Sequence, residues 1–183
     1  NQCFRASALW ALERTQAAMA ATRALWLHGR SQPKRCDKAF SRWRRAGGLT
    51  QALAWQRYEL SVLAGEDRLA AYLERTLSED QRTLARQLNR LRQRPTRTDR
   101  YNTVDFKDPE QRALAGSALK TLIKKRPAEA LRLIADLKDS GRLAPAHARQ
   151  YNYDAALRLI REDNLSLNDA LIPAALKTNS DLI

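Results

Sequence analysis

The side chains that most often carry catalysis or bind metals are few and scattered in this sequence. The two histidines, His28 and His147, are far apart, and each lies near the end of a predicted helix. Metal and proton-transfer sites bring such groups together, as in the HExxH helix, the CxxC pair or the EF-hand loop, and none of these patterns occurs. The pair Gly47-Gly48 lacks the lysine and hydroxyl context of a phosphate-binding loop. We therefore expect no catalytic residue, no metal and no cofactor in this chain.

Glutamates could supply the carboxyl group that cleaves a glycosidic bond. A general acid of this kind lies in a partly dry cleft, where burial raises its pKa. The candidates are Glu13, Glu59, Glu66, Glu74, Glu79, Glu110, Glu129 and Glu162. Most of them neighbour an arginine or aspartate in a solvated helical pattern. Glu59 is the least ordinary because it lies between Tyr58 and Leu60, but pairing with an arginine explains it better than catalysis.

Tryptophans and cysteines are concentrated near the beginning of the chain. The tryptophans are Trp10, Trp26, Trp43 and Trp55. Aromatic rings can stack on sugars or bases, but tryptophans at helical spacing more often anchor a core, and we predict that role for them. The two cysteines, Cys3 and Cys36, do not by themselves define a disulfide framework, so two buried free thiols remain an alternative.

The chain is strongly basic, with a net charge of +13 and far more arginine than lysine. Such a charge suits nucleic acid, an anionic membrane surface or an acidic polymer, and equally a solvated basic surface. Three clusters stand out, namely Arg42, Arg44 and Arg45; Arg86, Arg90, Arg92, Arg94 and Arg97; and Lys124, Lys125 and Arg126. They fall on different predicted helices, without a recognisable nucleic-acid reader module. No apolar run reaches about 18 residues, so we expect no transmembrane segment.

Apolar residues recur at three- and four-residue spacing almost throughout, which predicts helices. The predicted helices span 2–12, 16–28, 34–46, 50–64, 67–76, 78–94, 110–125, 127–138, 144–162 and 166–177. In the first, the pattern comprises Phe4, Ala8, Leu9 and Leu12, and Gly29 is expected to cap the second. The stretch 95–108 is polar and without period, so we predict a long loop there.

These elements predict an all-α fold, an irregular α-solenoid or superhelix of stacked αα-hairpins with about ten helices. A single helix pair has too little apolar surface to bury alone, so stacking on neighbours must supply the core. We expect two sub-stacks, 1–94 and 109–183, joined by the 95–108 loop.

The most specific pattern in the sequence lies between residues 24 and 47. It reads Trp26-Leu27, Gly29-Arg30-Ser31-Gln32-Pro33, Cys36-Asp37-Lys38-Ala39-Phe40, Trp43 and Gly47. This order and spacing resemble the helical U-shaped domain of the bacterial soluble lytic murein transglycosylases, which have lysine at the position of Arg30 and leucine at that of Ala39. The close resemblance covers residues 1–60. Beyond them only a similar style of short helices is shared.

The resemblance implies a periplasmic protein, made with a signal peptide, whose partner is peptidoglycan. In that family a superhelical ring or U accompanies a separate lysozyme-like domain, which cleaves the MurNAc–GlcNAc bond and leaves 1,6-anhydro ends. The acid/base glutamate of that domain lies in a Glu-Ser motif, followed later by Gly-Leu-Met-Gln, and neither motif occurs here. The chain is therefore expected to be a scaffold that guides or confines glycan strands. The periplasmic setting also implies a disulfide between Cys3 and Cys36, joining the first helix to the third.

The sequence opens at Asn1 without methionine and stops after Ile183. We therefore expect a segment of a longer enzyme, without its catalytic domain. We also expect the protein to be a monomer. Two other functions remain open. One is a helical-repeat module that docks other cell-wall enzymes, and the other is a basic helical protein that binds nucleic acid.

Overall fold

The computed structural model describes residues 2–161, and within them the chain consists of helices and short turns, without strands. The α-helices are α1 (Gln2–Ala11), α2 (Thr15–Trp26), α3 (Asp37–Arg45), α4 (Gln51–Leu63), α5 (Asp67–Glu74), α6 (Glu79–Gln93), α7 (Pro109–Lys125), α8 (Pro127–Asp139) and α9 (Pro145–Arg161). Two short 3-10 helices span Lys34–Cys36 and Thr98–Thr103. The all-helical fold expected from the sequence is confirmed, and the helix predicted at 166–177 lies outside the described residues. In the described part, no helix is both long and apolar enough to cross a membrane.

Capping residues and prolines explain why most of the predicted helix bounds agree with the structure to about two residues. The hydroxyl of Thr50 accepts a hydrogen bond from the Leu53 N–H at 3.2 Å, and the carboxylate of Asp108 accepts one from the Glu110 N–H at 2.9 Å. These side chains satisfy backbone donors that have no partner within the helix. Prolines begin α7, α8 and α9, where a missing N–H costs nothing.

The chain forms two compact units that divide after Ala85, within α6. In the first unit α1 packs against α2 and α3, while α4 packs against α5. The first helix turns a different face inward from the one its apolar pattern indicates. Cys3 and Ala6 are buried, whereas Phe4 and Leu12 are 57% and 70% exposed. The guanidinium group of Arg35 lies 5.7 Å from the centre of the Phe4 ring and covers part of this exposed face.

The connection between α2 and α3 differs from the sequence prediction at two points. The helix predicted to begin at Lys34 starts as a 3-10 turn, and the α-helix begins only at Asp37. Gly29 was expected to cap α2, but that helix ends at Trp26 with Leu27 as its cap. Gly29 is instead required by close packing. A Cβ atom there would lie 2.6 Å from the Leu60 carbonyl oxygen of α4, well inside van der Waals contact.

In the second unit, α7, α8 and α9 pack against one another in all three pairs. Their facing surfaces bury an aliphatic core that includes Leu114, Leu119, Leu122, Ile134 and Leu137. The helices α7 and α9 approach closely at Gly116, where a Cβ atom would lie 2.6 Å from the Tyr151 hydroxyl. The missing side chain at this position therefore leaves room for the Tyr151 hydroxyl.

The segment 95–108 is not the polar loop that the sequence indicates, and it lies inside the second unit rather than at a division of the chain. Its 3-10 helix buries Tyr101, and Val104 and Phe106 are buried just beyond it. The rings of Tyr101 and Phe106 are stacked, with their centres 6.5 Å apart. The Phe106 N–H donates to the Arg142 carbonyl at 3.0 Å, which ties the segment to the turn between α8 and α9. These three buried apolar residues therefore anchor a segment that is otherwise mostly polar.

Tyr101 should make the chain sensitive to alkaline pH. Its hydroxyl donates to the Pro95 carbonyl at 3.2 Å, and burial raises its pKa well above the ordinary value of 10.0. Above pH 10 the unfolded chain loses this proton while the folded chain keeps it, so the stability that Tyr101 contributes is complete below pH 10 and declines above it. In urea unfolding between pH 7 and 11, Tyr101→Phe should show a shallower alkaline decline in the free energy of unfolding. At neutral pH it should lose about 1 kcal/mol with its hydrogen bond.

The matched control for this prediction is Tyr153→Phe, since the Tyr153 side chain is 40% exposed. It should leave the alkaline decline as it is in the unmodified chain. Equal slopes for the unmodified chain and Tyr101→Phe would contradict the prediction.

Candidate binding surface

The pattern from Trp26 to Trp43 forms a packed aromatic cluster. Trp26 is 4% exposed, and its ring centre lies 5.5 Å from those of both Phe40 and Trp43. Its indole N–H donates to the Leu53 carbonyl at 3.1 Å, which joins α2 to α4. Gly48 is required beside this cluster, because a Cβ atom there would lie 2.1 Å from the Trp43 indole nitrogen. The residues that carry the family resemblance therefore have a packing role.

A buried arginine lies on the same cluster. The guanidinium carbon of Arg57 is 4.2 Å from the centre of the Trp26 ring and 5.4 Å from that of Phe40. Burial lowers the pKa of Arg57 to about 10, while Tyr72 opposes this shift and Arg44 adds to it. Its Nε is buried without a hydrogen-bond partner, so the ring faces supply the favourable contacts of this cation. Arg57 was not among the candidate residues, although it follows the buried Leu53 by four residues and so lies on the same face of α4.

The disulfide implied by the resemblance is present. Cys3 and Cys36 are bonded, with their Cα atoms 4.8 Å apart and 33 positions apart in the sequence. Cys3 lies in the first turn of α1, and Cys36 immediately precedes α3. The bond therefore fixes these two helices to each other and closes a loop that contains all of α2.

The residues considered for acid–base chemistry are not brought together. His28 and His147 are both exposed, and the Nδ1 atom of His28 accepts a hydrogen bond from the Arg30 N–H in the turn after α2. Glu59 is only half-buried, and among residues 2–161 no aspartate or glutamate is buried. In the same range, no group of three or more His, Cys, Asp or Glu side chains is placed to hold a metal ion. The described part thus offers no dry carboxyl group that could act as a general acid.

Trp10 is the exception among the four tryptophans that were predicted to anchor the core. Trp26, Trp43 and Trp55 are 4% exposed or less, whereas Trp10 is half-buried. It lines a groove of about 570 Å³ between α1 and α3, which we call the α1–α3 groove. The other residues along the groove are Ser7, Ala11, Asp37, Lys38, Ala39, Ser41, Arg42 and Arg45. A partly exposed indole in a concave polar surface is suited to ligand contact.

The basic side of this groove comes from α3. Lys38, Arg42 and Arg45 are exposed and fall at the i, i+4 and i+7 positions, which place them along one face of the helix. None of the three forms an ion pair with a carboxylate in the described part of the chain. Arg44, grouped with Arg42 and Arg45 in the sequence analysis, lies outside the groove and donates to the Phe40 carbonyl at 3.4 Å. Lys38 was not grouped with these arginines from the sequence, although its position four residues before Arg42 places it on the same face of the helix.

A second groove, of about 370 Å³, lies between α7 and α9 in the other unit. It is lined by Lys120, Ile123, Lys124, Asp154, Leu157, Arg158 and Arg161. The sequence placed Lys124 with Lys125 and Arg126, but Arg126 instead forms an ion pair with Glu129 at 3.1 Å. Only the packing of α7 on α9 brings the lysines and arginines of this groove together.

Residues 2–161 thus form helix pairs with two basic grooves and without a buried carboxylate. No protein-family profile matches the chain. In sequence it is 36% identical over 84 residues to the soluble lytic murein transglycosylase of Salmonella typhimurium, a match that covers 46% of this chain and 13% of the relative. It is 26% identical over 162 residues to the protein of that name from Escherichia coli K12, covering 88% of this chain and 25% of the relative. The chain thus spans a quarter or less of these relatives.

Solved structures give the same result. The 70-kDa soluble lytic transglycosylase of Escherichia coli matches 93% of this chain and 28% of its own with a TM-score of 0.69 and 25% identity. The complex of that 70-kDa enzyme with bulgecin A gives a TM-score of 0.70 at the same identity. An inactive mutant of the lytic transglycosylase Slt from Pseudomonas aeruginosa shares the fold, with a TM-score of 0.67 and 24% identity. In sequence and fold the chain is similar to one segment of the soluble lytic murein transglycosylases, as its sequence pattern indicates.

Proposed function

We propose that this chain is the non-catalytic helical scaffold of a periplasmic peptidoglycan lytic transglycosylase, and that it guides or confines glycan strands. The observation that carries the proposal is the extent of the similarity, which covers 88% of this chain but only 25% of the curated Escherichia coli relative. The whole protein would cleave the MurNAc–GlcNAc bond and leave 1,6-anhydro ends. The sequence contains no Glu-Ser motif, so the glutamate for that reaction would come from outside these residues.

Two features of the structure support the scaffold role. A general acid requires a carboxyl group whose pKa is raised in a dry site, and no carboxylate among residues 2–161 is buried. The carboxyl group of Asp99 has its pKa lowered by the hydrogen bond from Arg97, which is opposite to what an acid catalyst needs. The Cys3–Cys36 disulfide supports the periplasmic location, because disulfides persist in oxidising compartments.

The proposal is tested with purified sacculi. The chain should sediment with sacculi in a salt-sensitive manner, because a net charge of +13 favours the carboxylates of the wall polymer. It should release no 1,6-anhydro-muropeptides during prolonged incubation, as measured by chromatography and mass spectrometry of the supernatant. Release of such products would contradict the scaffold role, and absence of sedimentation would contradict glycan guiding.

A further inference from the structure

We infer that the α1–α3 groove binds a saccharide that carries carboxylate groups. In this arrangement the Trp10 ring stacks on a sugar, while Lys38, Arg42 and Arg45 bind carboxylates. The inference rests on the proposed function and assigns a substrate class to one surface of the scaffold.

Trp10 has the properties of a stacking surface. Its indole N–H donates to the Thr22 hydroxyl at 3.0 Å, and this fully buried hydroxyl in turn donates to the Ala18 carbonyl at 2.7 Å. The ring is therefore held in one orientation although part of it remains exposed. The ring does not have to become ordered when a ligand stacks on it, so part of the entropic cost of binding is absent. An aromatic ring of this kind offers a large apolar face that suits the C–H face of a sugar.

The cationic row gives the groove its preference for anions. Lys38, Arg42 and Arg45 extend over seven positions of α3, about 10 Å along the helix axis. This length allows the row to meet more than one carboxylate of an extended ligand. Since these three side chains lack a carboxylate partner within the described residues, a ligand does not first have to break an ion pair. Arginine also binds carboxylates through two parallel hydrogen bonds, which adds specificity.

The remaining lining favours a saccharide over nucleic acid. Asp37 contributes an exposed carboxylate to the groove, together with the hydroxyl groups of Ser7 and Ser41. A carboxylate accepts hydrogen bonds from sugar hydroxyl groups, and the phosphodiester backbone of DNA offers no such donors. A volume of about 570 Å³ lies within the range of ligand-binding clefts and is open enough for a polymer segment.

The test measures calorimetric affinity of the full chain for four probes. They are soluble glycan strands with stem peptides released from sacculi, alginate oligosaccharides, uncharged chitotetraose and single-stranded DNA. Trp10→Ala should weaken binding of the glycan strands about five- to tenfold, while Trp10→Phe, which keeps a ring, should weaken it less than about threefold. The triple variant Lys38→Gln, Arg42→Gln and Arg45→Gln should weaken it about tenfold or more, and chitotetraose should bind more weakly than either acidic saccharide.

The matched control is Arg23→Gln, Arg68→Gln and Arg75→Gln. These three arginines are exposed in the same unit but lie outside the groove, so the control carries the same net charge as the groove triple. The control should bind glycan strands within about twofold of the unmodified chain. An equal loss in both triples would overturn the inference, because it would mean that overall charge rather than the groove binds the ligand. Circular dichroism and thermal unfolding establish that each variant is folded.

The probes separate the two proposals. If glycan strands bind but neither Trp10→Ala nor the groove triple weakens them, the groove inference fails while the proposed function stands. Alginate binding that depends on the groove, without glycan-strand binding, supports the groove chemistry and contradicts the proposed function. DNA binding that depends on the groove more strongly than saccharide binding does would overturn the inference.

Discussion

Reduction of the Cys3–Cys36 disulfide is expected to lower the free energy of unfolding by about 3–4 kcal/mol. The bond closes a loop of 33 positions, and opening it returns conformational entropy to the unfolded chain. Urea unfolding with and without dithiothreitol measures the effect as a lower midpoint. The helices that the bond joins, α1 and α3, are also the two walls of the α1–α3 groove. The disulfide therefore also stabilises the candidate binding surface.

The control for this experiment is the double variant Cys3→Ala and Cys36→Ala. Both side chains are buried, so the variant should unfold at a lower urea concentration than the oxidised chain and should not respond to dithiothreitol. If reduced and oxidised chains unfolded at the same midpoint, the disulfide would contribute nothing to stability and the prediction would be wrong.

Trp26→Ala should cost about 3–5 kcal/mol, the usual range for removing a large buried aromatic side chain. The substitution leaves a cavity between Phe40 and Trp43, and it frees the Leu53 carbonyl from its hydrogen bond. It also removes the nearer of the two rings that contact the buried guanidinium of Arg57. Urea or thermal unfolding of the variant measures the loss, and a decrease below about 1 kcal/mol would contradict the packing role of the cluster.

Trp55 provides a matched control for the hydrogen-bond part of this prediction. It is 2% exposed, similar to Trp26, but its indole N–H is buried without a hydrogen-bond partner. Trp26→Phe loses a hydrogen bond and Trp55→Phe does not, so Trp26→Phe should be the more destabilising by about 1 kcal/mol. Equal losses in the two variants would show that the bond to Leu53 contributes no net stability.

Together these predictions separate the two roles of the tryptophans. Substitution of Trp26 should change stability because the residue joins α2, α3 and α4. Substitution of Trp10 should change ligand binding more than stability because part of its ring is exposed in the α1–α3 groove. Helical spacing predicts the same core role for both tryptophans. Their expected roles differ because Trp26 is buried and Trp10 is partly exposed.

The sequence by itself determined where several of the helices begin. Thr50, Asp108 and the prolines at the starts of α7, α8 and α9 act through local backbone geometry, which needs no knowledge of distant residues. The Trp26-to-Trp43 pattern also indicated the family before any fold was known. Its glycines and aromatics are fixed by contacts that tolerate few alternatives, such as Gly29 against the Leu60 carbonyl.

Only the tertiary structure decided which faces of the helices are buried. In α2 the three- and four-residue spacing predicts a buried stripe of Met19, Ala20, Ala24 and Leu27. The residues that are buried are instead Ala18, Thr22, Leu25 and Trp26. Alanine is compatible with either face, so an alanine-rich helix does not specify its orientation from periodicity alone. The exposure of Trp10, the burial of Tyr101 and the groove between α7 and α9 depend in the same way on contacts between residues distant in sequence. Such contacts form only when helices pack, and for that reason the candidate binding surfaces could not be read from the sequence.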